Sequence, residues 1–186
     1  MTRLAQSFRA PVVINATLRD GSLRACAATH DIPVLIYEAG EALRFDELSI
    51  RAGIRGILNV MRELGMLPAL KRKPAGEALV ARSTQWVRAS TSGIVTAAAG
   101  LGSRVLENDR LAVISDPLGD MEEEIRAPFD GIVIGASKLP LAHEGDALFH
   151  LAAFRSVGKA EHAVEEFANI HDPALRRTVE PGLLET

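Results

Sequence analysis

The sequence predicts two architectures in succession, an α/β part followed by a small all-β barrel or sandwich. Two apolar strand candidates, residues 11–16 and 34–37, flank a short helix, and a long amphipathic helix begins at Asp46. From about residue 84 the pattern changes to short alternating segments cut by Gly, Asn-Asp and Asp-Gly turns, the signature of a small β unit. The expected division is residues 1–67 for the α/β part, 68–81 for a linker, 82–154 for the β part and 155–186 for a tail.

In the first part, Asp20 or Ser22 is placed to cap a helix over residues 23–30, because a side-chain oxygen there accepts from the free N–H groups of the first turn. Val34, Leu35, Ile36 and Tyr37 then form an apolar run between Pro33 and Gly40, the pattern of a strand buried on both faces. Leu48, Ile50, Ile54, Ile57, Leu58 and Met61 recur at helical spacing up to a stop near Gly65, with Pro68 beyond. Two strands joined through a helix make a right-handed unit of parallel strands. A sheet of two strands is too small to close a core, so this part reads as a fragment of a larger α/β domain.

The linker is read from Lys71, Lys73, Pro74 and Gly76. The second part carries strand candidates at residues 84–89, 93–97, 104–105, 111–115, 123–127, 131–135 and 147–151. In the tail, residues 160–168 form a short charged helix, and Pro173, Arg176-Arg177 and Pro181-Gly182 indicate loose chain after it.

Composition narrows the function. At 186 residues the chain can bury a core, and 47% apolar with 24% charged residues excludes wholesale disorder. A net charge of −3 gives no basic footprint for nucleic acid, and the Lys71-Arg72-Lys73 run is too short to supply one. Cys26 is the single cysteine, which excludes an internal disulfide and points to a reducing compartment. With neither a leader pattern nor an apolar run long enough to span a bilayer, the expected location is cytoplasmic and no membrane partner is expected.

Glu38 is the leading candidate for chemistry. It falls at the C-terminal end of the second strand candidate, where reacting groups collect in open α/β sheets, and a half-desolvated carboxylate there suits a general base or acid. The competing reading is a structural carboxylate that caps the next helix or pairs with Arg44.

Three segments carry a resemblance. Asn15-Ala16-Thr17-Leu18-Arg19-Asp20-Gly21-Ser22-Leu23-Arg24, then Tyr37-Glu38-Ala39-Gly40-Glu41, then Ile54-Arg55-Gly56-Ile57-Leu58-Asn59-Val60-Met61 resemble the succinylglutamate desuccinylase/aspartoacylase family. The likeness runs from about residue 8 to about residue 154, and its most specific piece is the run from Glu38 to Glu47. It implies a zinc-dependent amidohydrolase with a carboxypeptidase-like α/β domain followed by a small β domain, acting on an N-acyl amino acid or a related linear amide. It implies further that Glu38 accepts a proton from the attacking water and passes it to the leaving amine. Arg24 lies near the point where the family grips a substrate carboxylate, against a plain helix-surface role. Asn15 and Arg19 are placed to line the same cleft, while Glu41 and Arg44 would support the catalytic turn.

The family's zinc ligands, an H-x-x-E pair and a further His, lie upstream of the matching portion. In this chain only His162 and Glu165 fit the H-x-x-E letters, and they sit in the tail, where a polar helix face accounts for them. The expectation is a C-terminal portion that carries the catalytic carboxylate and no metal ligands, inactive by itself, and needing a missing N-terminal half or an oligomer partner. The alternative from another class is a catalytically silent binding or assembly module.

The second part also resembles a biotinyl/lipoyl-type hammerhead barrel, through Gly93-Ile94-Val95, Gly102-Ser103-Arg104-Val105, residues 108–114 and residues 125–133. A carrier domain displays its modified lysine at the hairpin between the halves. Here that hairpin is Asp116-Pro117-Leu118-Gly119-Asp120-Met121, without lysine, and Lys138 lies past the second half, so a structural role is expected.

Overall fold

The computed structural model describes residues 1–70 and 78–172. The chain divides into two units, Met1–Ala78 with Ala163–Thr186, and Leu79–His162. Residues 71–77, the centre of the expected linker with its basic run, and residues 173–186 of the expected tail lie outside the described residues.

In the first unit, α1 (Thr2–Phe8), β1 (Val12–Val13), α2 (Leu23–Ala28) and α3 (Glu47–Glu63) follow one another. Ser22 caps α2, its Oγ accepting from the Ala25 N–H at 3.1 Å. Asp46 caps α3, with one carboxylate oxygen accepting from the N–H groups of Leu48 at 3.0 Å and Ser49 at 3.2 Å. A cap of this kind stabilises its helix by about 1 kcal/mol. The far end of α3 closes as a Schellman motif: the Gly65 N–H donates to the Arg62 carbonyl at 3.0 Å and the Met66 N–H to the Met61 carbonyl at 2.8 Å. That closure needs a left-handed residue after the cap, and Gly65 supplies it at φ 75°.

Helix α1, which the sequence pattern did not announce, packs on α3 through a side chain meeting bare backbone. A Cβ on Gly56 would sit 2.4 Å from the Phe8 ring, so the ring lies in the space that glycine leaves. Phe8 in turn contacts Tyr37, ring centroids 5.0 Å apart, and Arg3 pairs with Glu63 at 2.8 Å.

Two expectations for this unit are corrected. The first strand shrinks from residues 11–16 to Val12–Val13, and residues 34–37 form no strand at all. Their backbone is without sheet partners, and Leu35 and Ile36 are exposed where burial on both faces was expected. A strand is a relation between neighbours, and an apolar run with nothing beside it stays an unpaired segment. The partial parallel sheet expected for residues 1–67 is therefore not formed within this unit.

The second unit holds β2 (Leu79–Val80), β3 (Ser83–Arg88), β4 (Gly93–Ala97), β5 (Arg104–Val105), β6 (Arg110–Ser115), β7 (Glu122–Arg126), β8 (Gly131–Ala136), β9 (Leu141–Ala142) and β10 (Ala147–Ala153). Eight of them, all but β2, build two four-stranded sheets in the orders β3-β10-β8-β5 and β7-β6-β4-β9, with every pairing antiparallel. Of the barrel or sandwich expected here, the barrel is corrected: the described strands form two open sheets and no closed barrel. β2 and β9, two residues each, were not among the strands expected from the sequence. Leu111, Ile114, Ile132, Val133, Phe149 and Leu151 are the large side chains fully withdrawn from water. Each contributes roughly 1.5–3 kcal/mol to the stability of this unit by burial. α4 spans Val157–His171, longer at both ends than the expected 160–168. No helix among the described residues is long and apolar enough to cross a membrane.

Candidate active site

The turn between Tyr37 and Asp46 carries the residues singled out for chemistry. Its shape follows from a few positions. Gly40 stands at φ 78°, a conformation that glycine adopts without penalty, and Leu43 stands at φ 65°. A Cβ on Gly40 would lie 3.7 Å from the Asp46 Cβ and 3.8 Å from Ser49, so the turn folds back over the first turn of α3. Tyr37 fixes the near end, its hydroxyl donating to the Ser49 carbonyl at 3.0 Å and its ring lying against Gly53.

Glu38 is in this turn, exposed, and makes no hydrogen bond or ion pair among the described residues. The helix capping and the Arg44 pairing weighed for it fall to its neighbours: Asp46 caps α3, and Glu41 pairs with Arg44 at 3.1 Å. That pair spans the turn on the surface, where such bridges contribute about 0–1 kcal/mol.

Arg24 lies half-buried on α2, and its Nε–H is buried with no hydrogen-bond partner among the described residues. A buried donor left unmatched costs roughly 1–3 kcal/mol, so an arriving acceptor recovers that cost. Asn15 and Arg19 are exposed in the segment before α2, where the Arg19 carbonyl accepts from the Ser22 N–H at 3.2 Å and sets up the helix entry. Among the described residues Glu38, Arg24, Asn15 and Arg19 share no hydrogen bond or ion pair with one another.

Tyr37 was not singled out by the sequence. Burial pushes its hydroxyl above the ordinary 10.0, and the Asp46 carboxylate adds to this while the Ser49 side chain pulls the other way. A raised folded value favours the neutral phenol, so its stabilising contribution is complete below about pH 10 and is lost as pH rises through the folded value. Tyr37 is the single tyrosine, so absorbance at 295 nm reads it directly. The titration midpoint of the folded chain should lie above that of the same chain in denaturant; coincident midpoints would contradict the buried contact with α3.

No three His, Cys, Asp or Glu side chains among the described residues are grouped to hold a metal ion. His162 and Glu165 are both exposed on α4. In the β unit the hairpin between β6 and β7 is held by the Asp116 carboxylate, which accepts from the Met121 N–H at 3.2 Å, with Leu118 and Met121 exposed on it.

The architecture can be set beside solved structures. The succinylglutamate desuccinylase/aspartoacylase of Rhodobacter sphaeroides superposes with a TM-score of 0.71 at 22% identity, covering 82% of this chain and 49% of that one. The product-bound ectoine utilization protein EutE (DoeB) of Ruegeria pomeroyi gives a TM-score of 0.71 at 21% identity, over 82% of this chain and 48% of its own. The chain has the fold of succinylglutamate desuccinylase/aspartoacylase structures. An aspartoacylase family protein of Mesorhizobium loti agrees, with a TM-score of 0.65 at 19% identity over 83% of this chain and 47% of that one. The chain thus spans about half the length of the desuccinylase/aspartoacylase structures it matches. No protein-family model and no curated protein matches the sequence.

Proposed function

We propose that this chain contributes the general-base end of a hydrolase that cleaves the amide of an N-acyl amino acid or a related compound. The observation that carries this reading is the fold shared with deacylase-family structures over 82% of the chain. The position of Glu38 in the most specific run of the family resemblance joins to it. Glu38 would take a proton from the water that attacks the amide carbonyl and return it to the nitrogen as the C–N bond breaks, the two halves of one general acid/base cycle. Its carboxylate is exposed in the turn and makes no hydrogen bond or ion pair among the described residues, so it can meet a substrate from there.

The described side chains do not fit the zinc ion that the resemblance implies, since no group of three donors is assembled. We place the zinc ligands of the whole enzyme on polypeptide outside these residues, and Glu38 acts as a base rather than a ligand. The exposed free thiol of Cys26 suits a reducing, cytoplasmic setting.

Arg24 is assigned to the substrate carboxylate, because its buried Nε–H has no acceptor among the described residues and a guanidinium donates two parallel hydrogen bonds. In the assembled enzyme Arg24→Lys should hurt almost as much as Arg24→Ala, since an ammonium keeps the charge and loses the fork. The loss should appear in kcat/KM at about 2 kcal/mol, the order of a charge-assisted hydrogen bond. Substrates without the carboxylate should be indifferent. If both variants cleave a carboxylate-bearing amide as well as the parent, Arg24 is a packing residue and the assignment passes to Arg19 or Arg44.

The test of the whole reading is amine release from a panel of N-acyl amino acids by this chain together with the polypeptide that completes the shared fold. A second reading is a catalytically silent assembly module, in keeping with the absence of a three-donor group among the described residues. An assembled complex that releases no amine from any member of the panel would select it.

A further inference from the structure

The two sheets of the Leu79–His162 unit end in four edge strands, β3 and β5 in one sheet and β7 and β9 in the other. An edge strand presents a row of main-chain donors and acceptors without partners, and proteins guard such rows by keeping the strand short or by charging it. Three of these edges are guarded in that way. β5 and β9 are two residues each. β7 carries Glu122, Glu123 and Glu124 in succession, with Glu124 paired to Arg110 and Arg126.

β3 has neither device. It runs from Ser83 to Arg88 with no proline and no charge before Arg88. Its one strand partner among the described residues is β10, and the extra residue in that pairing, between Ala147 and Phe149, belongs to β10. Trp86, the largest side chain of the strand, leaves the edge bare as well. Its ring stacks on that of His150, the residue opposite it on β10, with centroids 4.5 Å apart. It reaches on to Gly135 of β8, where an added Cβ would stand 3.6 Å from the ring. Trp86 therefore leans back over its own sheet, and it is still 44% exposed.

We propose that β3 is a self-association edge, through which two copies of this chain pair antiparallel about a twofold axis and join their β3-β10-β8-β5 sheets into one. Charge selects the register. A twofold axis perpendicular to the sheet sets one residue opposite its own copy, and the central choices are Gln85 and Trp86. Centred on Gln85, the pairing sets Arg82 against Arg88 of the second copy, and like charges directly opposite destabilise a sheet. Centred on Trp86, it sets Thr84 against Arg88, Gln85 against Val87 and Ser83 against Ala89, with no like charges opposed. The two Trp86 rings then lean away from the axis. Two features favour a second copy over a foreign strand. The Trp86-centred register is self-complementary, and twofold pairing is the commonest closed arrangement of identical chains. It also consumes the unguarded edge and leaves only β5, two residues long, at either end of the joined sheet. This inference is independent of the hydrolase reading.

The experiment is sedimentation equilibrium of the full chain over a concentration series, with hydrogen–deuterium exchange on the same samples. The chain should pass from monomer to dimer, and the amides of residues 83–88 that do not bond to β10 should slow by roughly tenfold or more as it does. Two substitutions then test the register. Trp86→Lys and Trp86→Glu each set like charges face to face across the axis, so each should weaken dimerisation by roughly tenfold, and an equimolar mixture should recover dimers that hold one of each. Gln85→Lys mixed with Gln85→Glu should show no such recovery, because Gln85 does not face its own copy. The exchange measurement needs no substitution, so it decides even where a Trp86 variant fails to fold. A chain that stays monomeric up to its solubility limit overturns the proposal. So does a dimer in which residues 83–88 exchange as they do in the monomer, since another surface then joins the copies. Folded Trp86 variants whose mixture associates no better than either one alone overturn it as well.

Discussion

Glu38→Gln should lower amide hydrolysis by the assembled enzyme by roughly two to four orders of magnitude, the range for losing a general acid/base. The amide is nearly the same size as the carboxylate and cannot accept the proton, so the change isolates the chemistry. Stability offers no competing explanation, because Glu38 is exposed and makes no hydrogen bond or ion pair among the described residues. Surface changes of this kind stay within about 0.5 kcal/mol, so the melting of the variant should match the parent. The fall should be in kcat, since a proton transferred in the transition state adds little to substrate binding. Glu41→Gln is the matched control: it removes only an exposed pair with Arg44, and should cost less than about 1 kcal/mol in stability with turnover nearly intact. Near-parental turnover in Glu38→Gln would remove the central claim about this chain.

Gly131→Ala should destabilise the Leu79–His162 unit by about 3 kcal/mol, at the upper end of what overpacking costs. A Cβ at this position would stand 2.5 Å from the Ala152 carbonyl oxygen and 3.3 Å from its carbon. The obstacle is backbone, so no side chain can swing aside. β8 and β10 are also the two inner strands of their sheet, and a shift of either disturbs partners on both edges. For a unit of this size 3 kcal/mol lowers the melting temperature by on the order of 15 °C. Gly93→Ala meets the Ser115 carbonyl oxygen at 2.4 Å and should behave alike. Gly100→Ala, whose Cβ would meet only the Ser103 hydroxyl at 3.8 Å, should be nearly neutral. Calorimetry on the three variants decides the matter, and equal melting temperatures would mean that the strands separate more easily than their spacing implies.

The α3 helix was legible in full because its information is local. Asp46 at the start, the apolar periodicity and Gly65 at the end each act within one or two turns, and the helix runs Glu47–Glu63 between them. Strands β4 and β5 were equally legible, being bounded by turn residues that act on their own backbone. The expected strand at residues 34–37 failed for the opposite reason: its composition is that of a buried strand, but a strand also needs neighbours to pair with, and no described residue pairs with it. Helix α1 escaped notice since its main contact is Phe8 on Gly56, and a missing side chain leaves no periodic trace. Of the candidate site, the turn around Glu38 could be placed from sequence. The unmatched Arg24 Nε–H and the Tyr37 anchor could not, because both depend on which surfaces meet.

The chain has one tryptophan and one tyrosine, and they fall in different units. Trp86 stacks on His150 across β3 and β10, ring centroids 4.5 Å apart, with Gly135 leaving room beside both rings. Tyr37 is anchored to α3 in the other unit. Each half of the molecule therefore brings its own optical label at no cost in engineering. Tryptophan emission reports the two-sheet unit and tyrosine absorbance reports the helical one, so a single titration or thermal ramp followed at two wavelengths can tell whether they unfold together or in turn.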